Sequence, residues 1–533
     1  MGGWICDGVP KDGKNYPNSF PHEPFENPPS ATFCFECELP REAAVTESSN
    51  SSGSFLSALG IFCFTILAFG VFGYLGYRFF KFQLTTVVSS PSPSFVENTI
   101  LDDRSSSGDR PLFKDGSASY LNEGTEFFEK QNYDRAIESF EEAVEAAPNQ
   151  PEPDIYLNNS VARCQKKSPY VIAAVVPITN NPDQAKEMLR GIADSQTQFN
   201  QSSVTRNKSL AQLCGGDDRL LEVQIVDDGN DPKIADQVSE ALSKDSKILA
   251  VIGHNSSDAS KAAMVNYEFA GLAMISPTSS SIYLQGSTFF RTLPSDEKSG
   301  EKLAEYVNQK VNGKDVAIFY TSTSSYSVSL RKAFVDNYQG NTSSFDFDSD
   351  NFDPEIALQK LQENNLSVVV LFPNVKQRDK AIGLANVAKD QNIQLTFFGG
   401  DALYAPETLR EARSSLEGMV LVVPWFEEVQ DENYAKQADE RWQGQVSWRT
   451  AMSYDAAQAV ANVINDHKLI EKITREDVIK SLHRLNLSSS QTSGDFLSFD
   501  ENGDRKIDPR IVQIVFGGQN RPEGSDHRFV LVE

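Results

Sequence analysis

From Tyr170 onward, short apolar runs alternate with segments of helical period, and this alternation limits the fold of the 533-residue chain more than any other feature. Such a pattern is typical of α/β proteins in which helices cover parallel sheets. The predicted strands lie in the runs YVIAAVVP, LLEVQIVDD, ILAVIGH, GLAMISP, DVAIFYT, LSVVVLFP, QLTFFGGD and GMVLVVPW. Sheets of this kind bind ligands beyond the carboxyl ends of their strands, so the residues that end or follow these runs are the candidates for a site.

Two of these strand ends carry hydroxyl groups. The third run is followed by Ser256 and Ser257, just before a helix that we expect to begin near Asp258. Hydroxyls and free N–H groups at a helix start suit an anion such as a carboxylate, although either serine could instead cap the helix. The fourth run is followed by TSSS at residues 278–281, which alone would be only a polar loop.

The stretch from residue 169 to residue 533 resembles the leucine/isoleucine/valine-binding family of type I periplasmic solute-binding proteins. The resemblance rests on the collinear order of VQIVDDGNDPKIA, AVIGHNSSDASKAAMVNYEFAGLAMISPTSSS, FFRTLPSDEKSGEKLAEYV, YDAAQAV and SFDENGDRK. It implies an α/β fold of two lobes joined by a hinge, which close on a solute in the crevice between them. We therefore expect residues 169–533 to form a two-lobed solute-binding domain.

The same resemblance implies which residues bind the solute. Ser257 matches the serine that binds the carboxylate of an amino acid, while Thr278 and Ser280 match loop positions that hold the carboxylate and ammonium groups. Tyr326 matches the aromatic residue that covers the ligand, and Asp401 stands where an acid pairs with the ammonium. Together these side chains would offer donors to one pole of a zwitterion and an acceptor to the other.

The chain departs from the family pattern in two places. The positions that match the family's disulfide near the mouth of the site are Asn230 and Ser256. The loop after Pro177, ITNNPDQAKEM, lacks the usual glycine-rich turn. Affinity and ligand can therefore differ from those of the branched-chain amino-acid binders.

An uncharged apolar run, FLSALGIFCFTILAFGVFGYLGY at residues 55–77, predicts one transmembrane helix because it is long enough to cross about 30 Å of hydrocarbon. A long polar segment precedes it, which is not typical of a signal peptide. Arg78 and Lys81 follow the run whereas Arg41 precedes it, so the positive-inside rule mildly opposes a cytoplasmic N-terminus. We nevertheless expect a single-pass protein of the bacterial inner (cell) membrane with a periplasmic or extracellular binding domain, because members of the family capture solutes there.

The N-terminal tail, residues 1–54, contains WIC and FCFEC, which resemble the two halves of a zinc ribbon. Cys6, Cys34 and Cys37 are the candidate zinc ligands. Only three cysteines are present, so His22 would have to complete the site or the site is degenerate; the alternative is a disordered tail whose cysteines bind no metal. The six cysteines of the chain are too few and too scattered to predict a disulfide framework.

Between residues 78 and 165 the composition changes once more. Residues 78–116 are rich in Ser, Pro, Asp and Gly and predict a flexible linker. Residues 117–165 predict helices that resemble a tetratricopeptide repeat, on the order and spacing of Tyr120, Gly124, Phe127, Ala136, Phe140, Ala143 and Pro148. One repeat and a further helix are fewer than the roughly three units needed for stability, so we expect this segment to pack on a neighbour.

Charge and missing motifs narrow the function. With 74 acidic against 49 basic residues, the net charge of −25 disfavours nucleic-acid binding. No nucleophile elbow or catalytic metal-ligand cluster is present in the sequence, so we expect neither an enzyme nor a cofactor apart from zinc in the tail. We expect a membrane-tethered protein that captures an amino acid or similar small polar metabolite for an ABC-type transporter or a sensor. The alternative is a protein-interaction scaffold with a degenerate site, which would recruit its partner through the helical repeat.

Overall fold

The computed structural model describes residues 4–11, 25–27, 34, 39–44, 100–114, 119–202, 214–349, 352–427, 434–444, 446–468, 472–518 and 522–532. In the N-terminal region β1 (Trp4–Cys6) pairs antiparallel with β2 (Phe25–Asn27), and a short helix α1 (Arg41–Ala44) follows. Cys6 and Cys34 are buried, whereas Cys37 and the predicted transmembrane run lie outside the described residues.

The described ranges hold no group of three or more His, Cys, Asp or Glu side chains arranged to bind a metal ion. None of the helices within them combines the length and apolar character needed to cross a membrane. The zinc ribbon and the transmembrane helix therefore stay predictions.

Part of the predicted linker is ordered. Residues 100–104 form helix α2 (Ile100–Arg104), and β3 (Ser105–Ser106) pairs antiparallel with Ile225 and Val226 of the following domain, at the edge of its sheet. The guanidinium of Arg104 contacts the Asp227 carboxylate at 3.1 Å, and Phe113 is buried. Residues 100–114 therefore do not form the flexible linker that we expected. Hydrogen bonds and an ion pair hold this segment to the domain, and such contacts leave no apolar period in the sequence.

Three helices follow, α3 (Ser119–Glu129), α4 (Tyr133–Ala146) and α5 (Pro151–Arg163). A Cβ at Gly124 would lie 2.5 Å from Cε1 of Phe140, so the absent side chain lets α3 approach α4. Helix α5 is buried along almost its whole length. The Asn159 side-chain amide donates to the Val223 carbonyl at 2.7 Å and accepts from the Val223 N–H at 2.9 Å. The helices thus pack on the domain beyond them, while their assignment to the tetratricopeptide class stays a prediction.

The first lobe is a six-stranded sheet in the order β3-β5-β4-β6-β7-β8, parallel except for β3. Helices α7 and α8 cover one face, and α6, α15 and α16 cover the other together with α5. Gly191 of α6 permits close packing, since a Cβ there would collide with the Thr450 carbonyl of α15. The strands and helices of this lobe are β4 (Tyr170–Val176), α6 (Pro182–Ser202), β5 (Leu221–Asp227), α7 (Pro232–Lys244), β6 (Ile248–Ile252), α8 (Ser257–Ala270), β7 (Ala273–Ser276), β8 (Phe289–Arg291), α14 (Tyr434–Trp442), α15 (Trp448–Asp466) and α16 (Arg475–Leu482).

The second lobe is a seven-stranded sheet in the order β10-β9-β11-β12-β13-β14-β15, in which β14 runs antiparallel to both of its neighbours, β13 and β15. Helices α9 and α10 pack on one face, α11, α12 and α13 on the other. Its elements are α9 (Asp296–Val311), β9 (Val316–Tyr320), α10 (Ser325–Asn337), β10 (Thr342–Asp346), α11 (Pro354–Glu363), β11 (Val368–Phe372), α12 (Arg378–Asp390), β12 (Thr396–Gly399), α13 (Pro406–Ala412), β13 (Val420–Val423), β14 (Arg510–Phe516) and β15 (His527–Leu531). The predicted two-lobed α/β fold is confirmed.

The chain passes between the lobes three times: after β8, after β13 and before β14. Arg291, at the end of β8, donates from Nε to the Asp504 carboxylate at 2.6 Å. Arg505 donates from Nη1 to Oδ2 of buried Asp455 at 2.6 Å and to the Thr292 carbonyl at 3.0 Å. Buried ion pairs therefore join the first and third crossings, and we call Arg291, Asp504, Arg505 and Asp455 the hinge cluster.

One disulfide links Cys164, which follows α5, to Cys214, which follows α6. The bridge joins the end of the helical segment to the first lobe. A bridge between two cysteines is not a disulfide framework of the kind discussed for the sequence. The spacing of Cys164 and Cys214 did not predict that they pair.

Candidate functional site

A cleft of about 260 Å³ lies between the carboxyl ends of the strands of the two lobes. Its walls come from loops after β5, β6 and β7 in the first lobe and after β9, β11 and β12 in the second. Four of the five predicted ligand-binding residues line it, namely Ser257, Thr278, Tyr326 and Asp401. The strand-end rule therefore placed the cleft correctly.

On the first-lobe wall, the two serines before α8 have different roles. The Ser256 hydroxyl accepts from the Ala259 N–H at 3.3 Å and caps the helix. The Ser257 hydroxyl accepts from the Ser281 N–H at 3.4 Å and also lines the cleft. Ser256 thus caps the helix and Ser257 lines the cleft, while ligand binding by Ser257 stays a prediction.

The residues of the serine-rich loop at 278–281 also differ in their roles. The Thr278 hydroxyl lines the cleft and donates to the Asn255 carbonyl at 2.8 Å, so it ties this loop to the loop before α8. Ser280 is 4% exposed and is not among the residues that line the cleft. Its carbonyl accepts from the Asp296 N–H at 2.8 Å, because the loop turns there toward the start of α9. The role predicted for Ser280 is therefore not matched by its position.

Beneath these loops lies a buried polar chain centred on His254. Its Nδ1 lies 2.7 Å from the Asp228 carboxylate and its Nε2 lies 3.1 Å from the Tyr267 hydroxyl. All three side chains are fully enclosed. Through these contacts the histidine holds the loop that carries Ser257 against the sheet.

On the second-lobe wall, Tyr326 and Asp401 contact each other directly. The Tyr326 hydroxyl donates to Oδ1 of Asp401 at 2.8 Å. Burial raises the pKa of the Asp401 carboxyl, and the Tyr326 hydrogen bond and the nearby Arg449 guanidinium oppose that rise. Burial likewise raises the pKa of Tyr326 well above its ordinary value. Asp401 is thus a carboxylate with one oriented hydroxyl partner and an opening toward the cleft.

Several lining residues were not anticipated from the sequence. Trp448 and Arg449 begin α15 on the first-lobe side, after a Ser447 cap that accepts from the Thr450 N–H at 3.3 Å. They follow no strand, so a search of strand ends passes over them. Lys376 and Gln377 line the other wall in a short turn before α12. That turn does follow β11 and could have been found by the same rule.

The lobes also touch along one edge of the cleft. The Asp258 carboxylate accepts from the Ser325 N–H at 2.8 Å, and the Ser281 hydroxyl donates to the Ser325 carbonyl at 3.2 Å. The Ser329 hydroxyl accepts from the Ile282 N–H at 2.9 Å. These bonds join the starts of α8 and α10, so the two walls face each other at hydrogen-bonding distance.

Comparison with known sequences decides the family. Residues 193–519, more than half of the chain, match the model of the family described as "Periplasmic binding protein". The chain belongs to the periplasmic binding protein family. The Leu/Ile/Val-binding protein of Escherichia coli K12 is 26% identical over 300 residues, which cover 54% of this chain and 77% of that protein. The leucine-specific-binding protein of Salmonella typhimurium is 27% identical over 217 residues, covering 39% and 56% of the two chains.

Solved structures of periplasmic binding proteins share the fold. A leucine-binding protein of Thermotoga maritima superposes with a TM-score of 0.57 at 18% identity, covering 68% of this chain and 98% of its own. The substrate-binding protein of a branched-chain amino acid transporter from Streptococcus pneumoniae, solved with isoleucine, superposes with a TM-score of 0.56 at 20% identity, covering 68% and 99%. The family region begins within α6, so the N-terminal segments and the three helices α3 to α5 precede it.

Proposed function

We propose that this periplasmic binding protein captures an amino acid or a similar small polar metabolite by closure of its two lobes. The observation that carries the proposal is that Ser257 and Thr278 from one lobe and Tyr326 and Asp401 from the other line a single cleft. The names of the similar proteins, which bind leucine, isoleucine or valine, support the ligand class.

The chemistry of the walls suits a zwitterion. In this proposal the Ser257 hydroxyl, beside Thr278 on the first-lobe wall, binds the α-carboxylate, and the Asp401 carboxylate binds the ammonium. Tyr326 orients Asp401 through its 2.8 Å hydrogen bond and covers the ligand with its ring. Charge-assisted hydrogen bonds are about twice as strong as neutral ones, so these two contacts would supply most of the affinity.

Closure would act by population shift. A ligand that contacts both lobes favours the closed arrangement over the open one by its differential affinity for the two. Bonds such as that from the Ser325 N–H to Asp258 would form only when the lobes approach. A transporter permease or a sensor would then recognise the closed form. The protein would be a binding protein and not an enzyme.

Location belongs to the same proposal. We infer that residues 55–77 anchor the chain in the bacterial inner membrane and that the binding domain faces the periplasm or the exterior. The exposed faces of α3 and α4 would offer a surface to a further protein partner. Fractionation of cells into membrane and soluble parts, with and without residues 55–77, tests the anchor.

A thermal-shift screen of the full chain against amino acids, amides and small carboxylates tests the function. A ligand at 100 times its Kd should stabilise the folded state by about 2.7 kcal/mol, which is several degrees in Tm. Asp401→Ala should lose this shift. Asp336→Ala, which removes an exposed carboxylate paired with Lys332, should retain it.

Two outcomes would contradict the proposal. A full ligand shift in Asp401→Ala would refute the role of that carboxylate. If the wild-type chain shows no shift with any compound, the interaction scaffold with a degenerate site becomes the better explanation.

A further inference from the structure

Arg449 is a buried cation on the cleft wall. The residue is 7% exposed, and its guanidinium carbon lies 4.5 Å from the centre of the Trp448 ring. Its Nη1 contacts the Glu187 carboxylate at 3.3 Å, a long ion pair. Its Nε is enclosed and has no hydrogen-bond partner among the residues that the structure describes. The guanidinium thus retains donors that the protein does not use.

Trp448, the residue before Arg449, also carries a buried hydrogen-bond donor. The ring is 3% exposed, and its Nε1–H is buried with no acceptor in the described part of the chain. A buried donor without an acceptor costs about 1–3 kcal/mol, and more when it is charged. In native proteins such a group usually has an explanation, such as an ordered water, an ion or a ligand. Two of them side by side on the cleft wall indicate that an acceptor arrives with the ligand.

The acidic groups of the cleft do not supply that acceptor. Asp348 accepts from the Thr323 N–H at 3.1 Å and from the Gln377 amide at 2.8 Å, so its carboxylate closes the second-lobe loops. Asp258 accepts from the Ser325 N–H. Asp401 is near enough to Arg449 for the guanidinium to oppose the rise in its pKa, but its side chain accepts its hydrogen bond from the Tyr326 hydroxyl.

The proposed function leaves these donors unexplained. An aliphatic amino acid would satisfy Ser257 and Asp401 through its α-carboxylate and ammonium. Its side chain would offer no acceptor to Arg449 or Trp448, and both donors would stay buried and unpaired when the lobes close. A side chain that ends in a carboxylate offers two oxygens, which suit a guanidinium and an adjacent N–H.

We propose that the cleft selects amino acids with an acidic side chain, whose second carboxylate binds the Arg449 guanidinium and the Trp448 Nε1–H. This inference rests on the proposed function, since it assumes that Ser257 and Asp401 hold the α-carboxylate and the ammonium. Lys376, on the opposite wall, has no ion-pair partner among the described residues and adds positive charge to the same cleft.

Titration calorimetry of the full chain with L-glutamate, L-aspartate, L-glutamine and L-leucine tests the inference. The wild-type chain should bind one of the two acids at least tenfold more tightly than L-glutamine or L-leucine. Arg449→Gln should weaken binding of that acid on the order of 100-fold and change binding of L-glutamine by less than about threefold.

Two further variants complete the design. Trp448→Phe keeps an aromatic side chain but removes the Nε1–H together with the five-membered ring of the indole, so it should weaken binding of the acid about fivefold and leave L-leucine unaffected. It also keeps the test decisive if Arg449→Gln does not fold. Arg135→Gln removes an exposed arginine paired with Glu138 on α4 and should bind every ligand as the wild-type chain does.

The outcomes separate the two proposals. Tighter binding of L-leucine than of both acids would overturn the inference and leave amino-acid capture standing. An equal loss of acid and amide binding in Arg449→Gln would assign that residue to holding Asp401 in place, which also overturns it. If the wild-type chain binds none of the four compounds, the inference is overturned, and the thermal-shift screen against all amino acids decides whether amino-acid capture also fails.

Discussion

The hinge cluster and the cleft use the same residue types in opposite ways. In the hinge cluster, Arg505 and Asp455 are fully enclosed and paired at 2.6 Å, and Asp455 also accepts from the Ser493 N–H at 2.6 Å and from its hydroxyl at 2.8 Å. In the cleft, Arg449 keeps one long contact at 3.3 Å and an unused Nε. The charged pair of Arg505 and Asp455 in the hinge cluster is fully compensated within the protein, whereas the Arg449 guanidinium in the cleft is only partly paired.

This difference separates groups that hold the fold from groups that await a partner. Buried charges cost several kcal/mol unless hydrogen bonds and an opposite charge compensate them. In the hinge cluster that compensation is internal, so removing one member should damage stability. In the cleft it is partial, so removing a member should damage binding more than stability.

The largest expected effect comes from breaking the hinge cluster. Arg505→Met leaves Asp455 buried without its counter-ion and removes donors to the Thr292 and Phe496 carbonyls. We expect a loss of about 3–5 kcal/mol in the free energy of unfolding. Urea denaturation followed by circular dichroism measures it. Arg505→Met combined with Asp455→Asn should recover part of the loss, and a single variant as stable as the wild-type chain would contradict this account.

Asp296 lies between the two regions and sharpens the comparison through pH. Burial raises the pKa of its carboxyl from 3.8 to about 7; the Asp401 charge adds to the rise, while Ser329, Ser280 and Arg291 oppose it. In the folded state this group holds its proton longer than in the unfolded state, so its contribution to stability falls as pH rises from about 4 to 7 and is flat above.

Asp296→Asn should remove this pH dependence. Relative to the wild-type chain, the variant should gain about 2 kcal/mol in stability on going from pH 5 to pH 8. Urea midpoints at both pH values measure the gain. An equal change in both proteins over this range would show that Asp296 titrates normally.

The smallest expected effect is at the partly exposed pair beside the hinge cluster. Arg510 contacts both oxygens of Asp495 at 3.1 Å, but the two side chains are 23% and 27% exposed. Solvent screens such a pair, so Arg510→Met should cost less than about 1 kcal/mol. It serves as the matched control for Arg505→Met. A loss as large as that of Arg505→Met would show that burial does not distinguish the two pairs.

The sequence predicted the centre of the fold better than its edges. All eight predicted apolar runs contain strands of the two sheets, because buried parallel strands are continuously apolar. Strand β10 was not predicted, since its residues are polar and partly exposed at a sheet edge. Strand β14 is largely buried but returns antiparallel beside β13, a pairing that the alternation of strand and helix does not imply.

The residues of the candidate site likewise differ in how well the sequence predicted them. Ser257, Thr278, Tyr326 and Asp401 could be found because they follow strands and match the family order. Trp448 and Arg449 could not, because α15 starts at the cleft only once the chain has crossed back between the lobes. Ser280 differs from the expectation because a backbone bond from Asp296 turns its loop, and local sequence does not encode that contact.

The burial of α5 has a mechanical consequence. Asn159 on this helix bonds both backbone groups of Val223 in β5, and Arg163 pairs with Glu222 beside it. A domain or partner protein attached to the segment α3 to α5 is therefore held rigidly to the first lobe. Under the proposed closure, the second lobe moves relative to this segment, and a neighbouring molecule could sense that displacement.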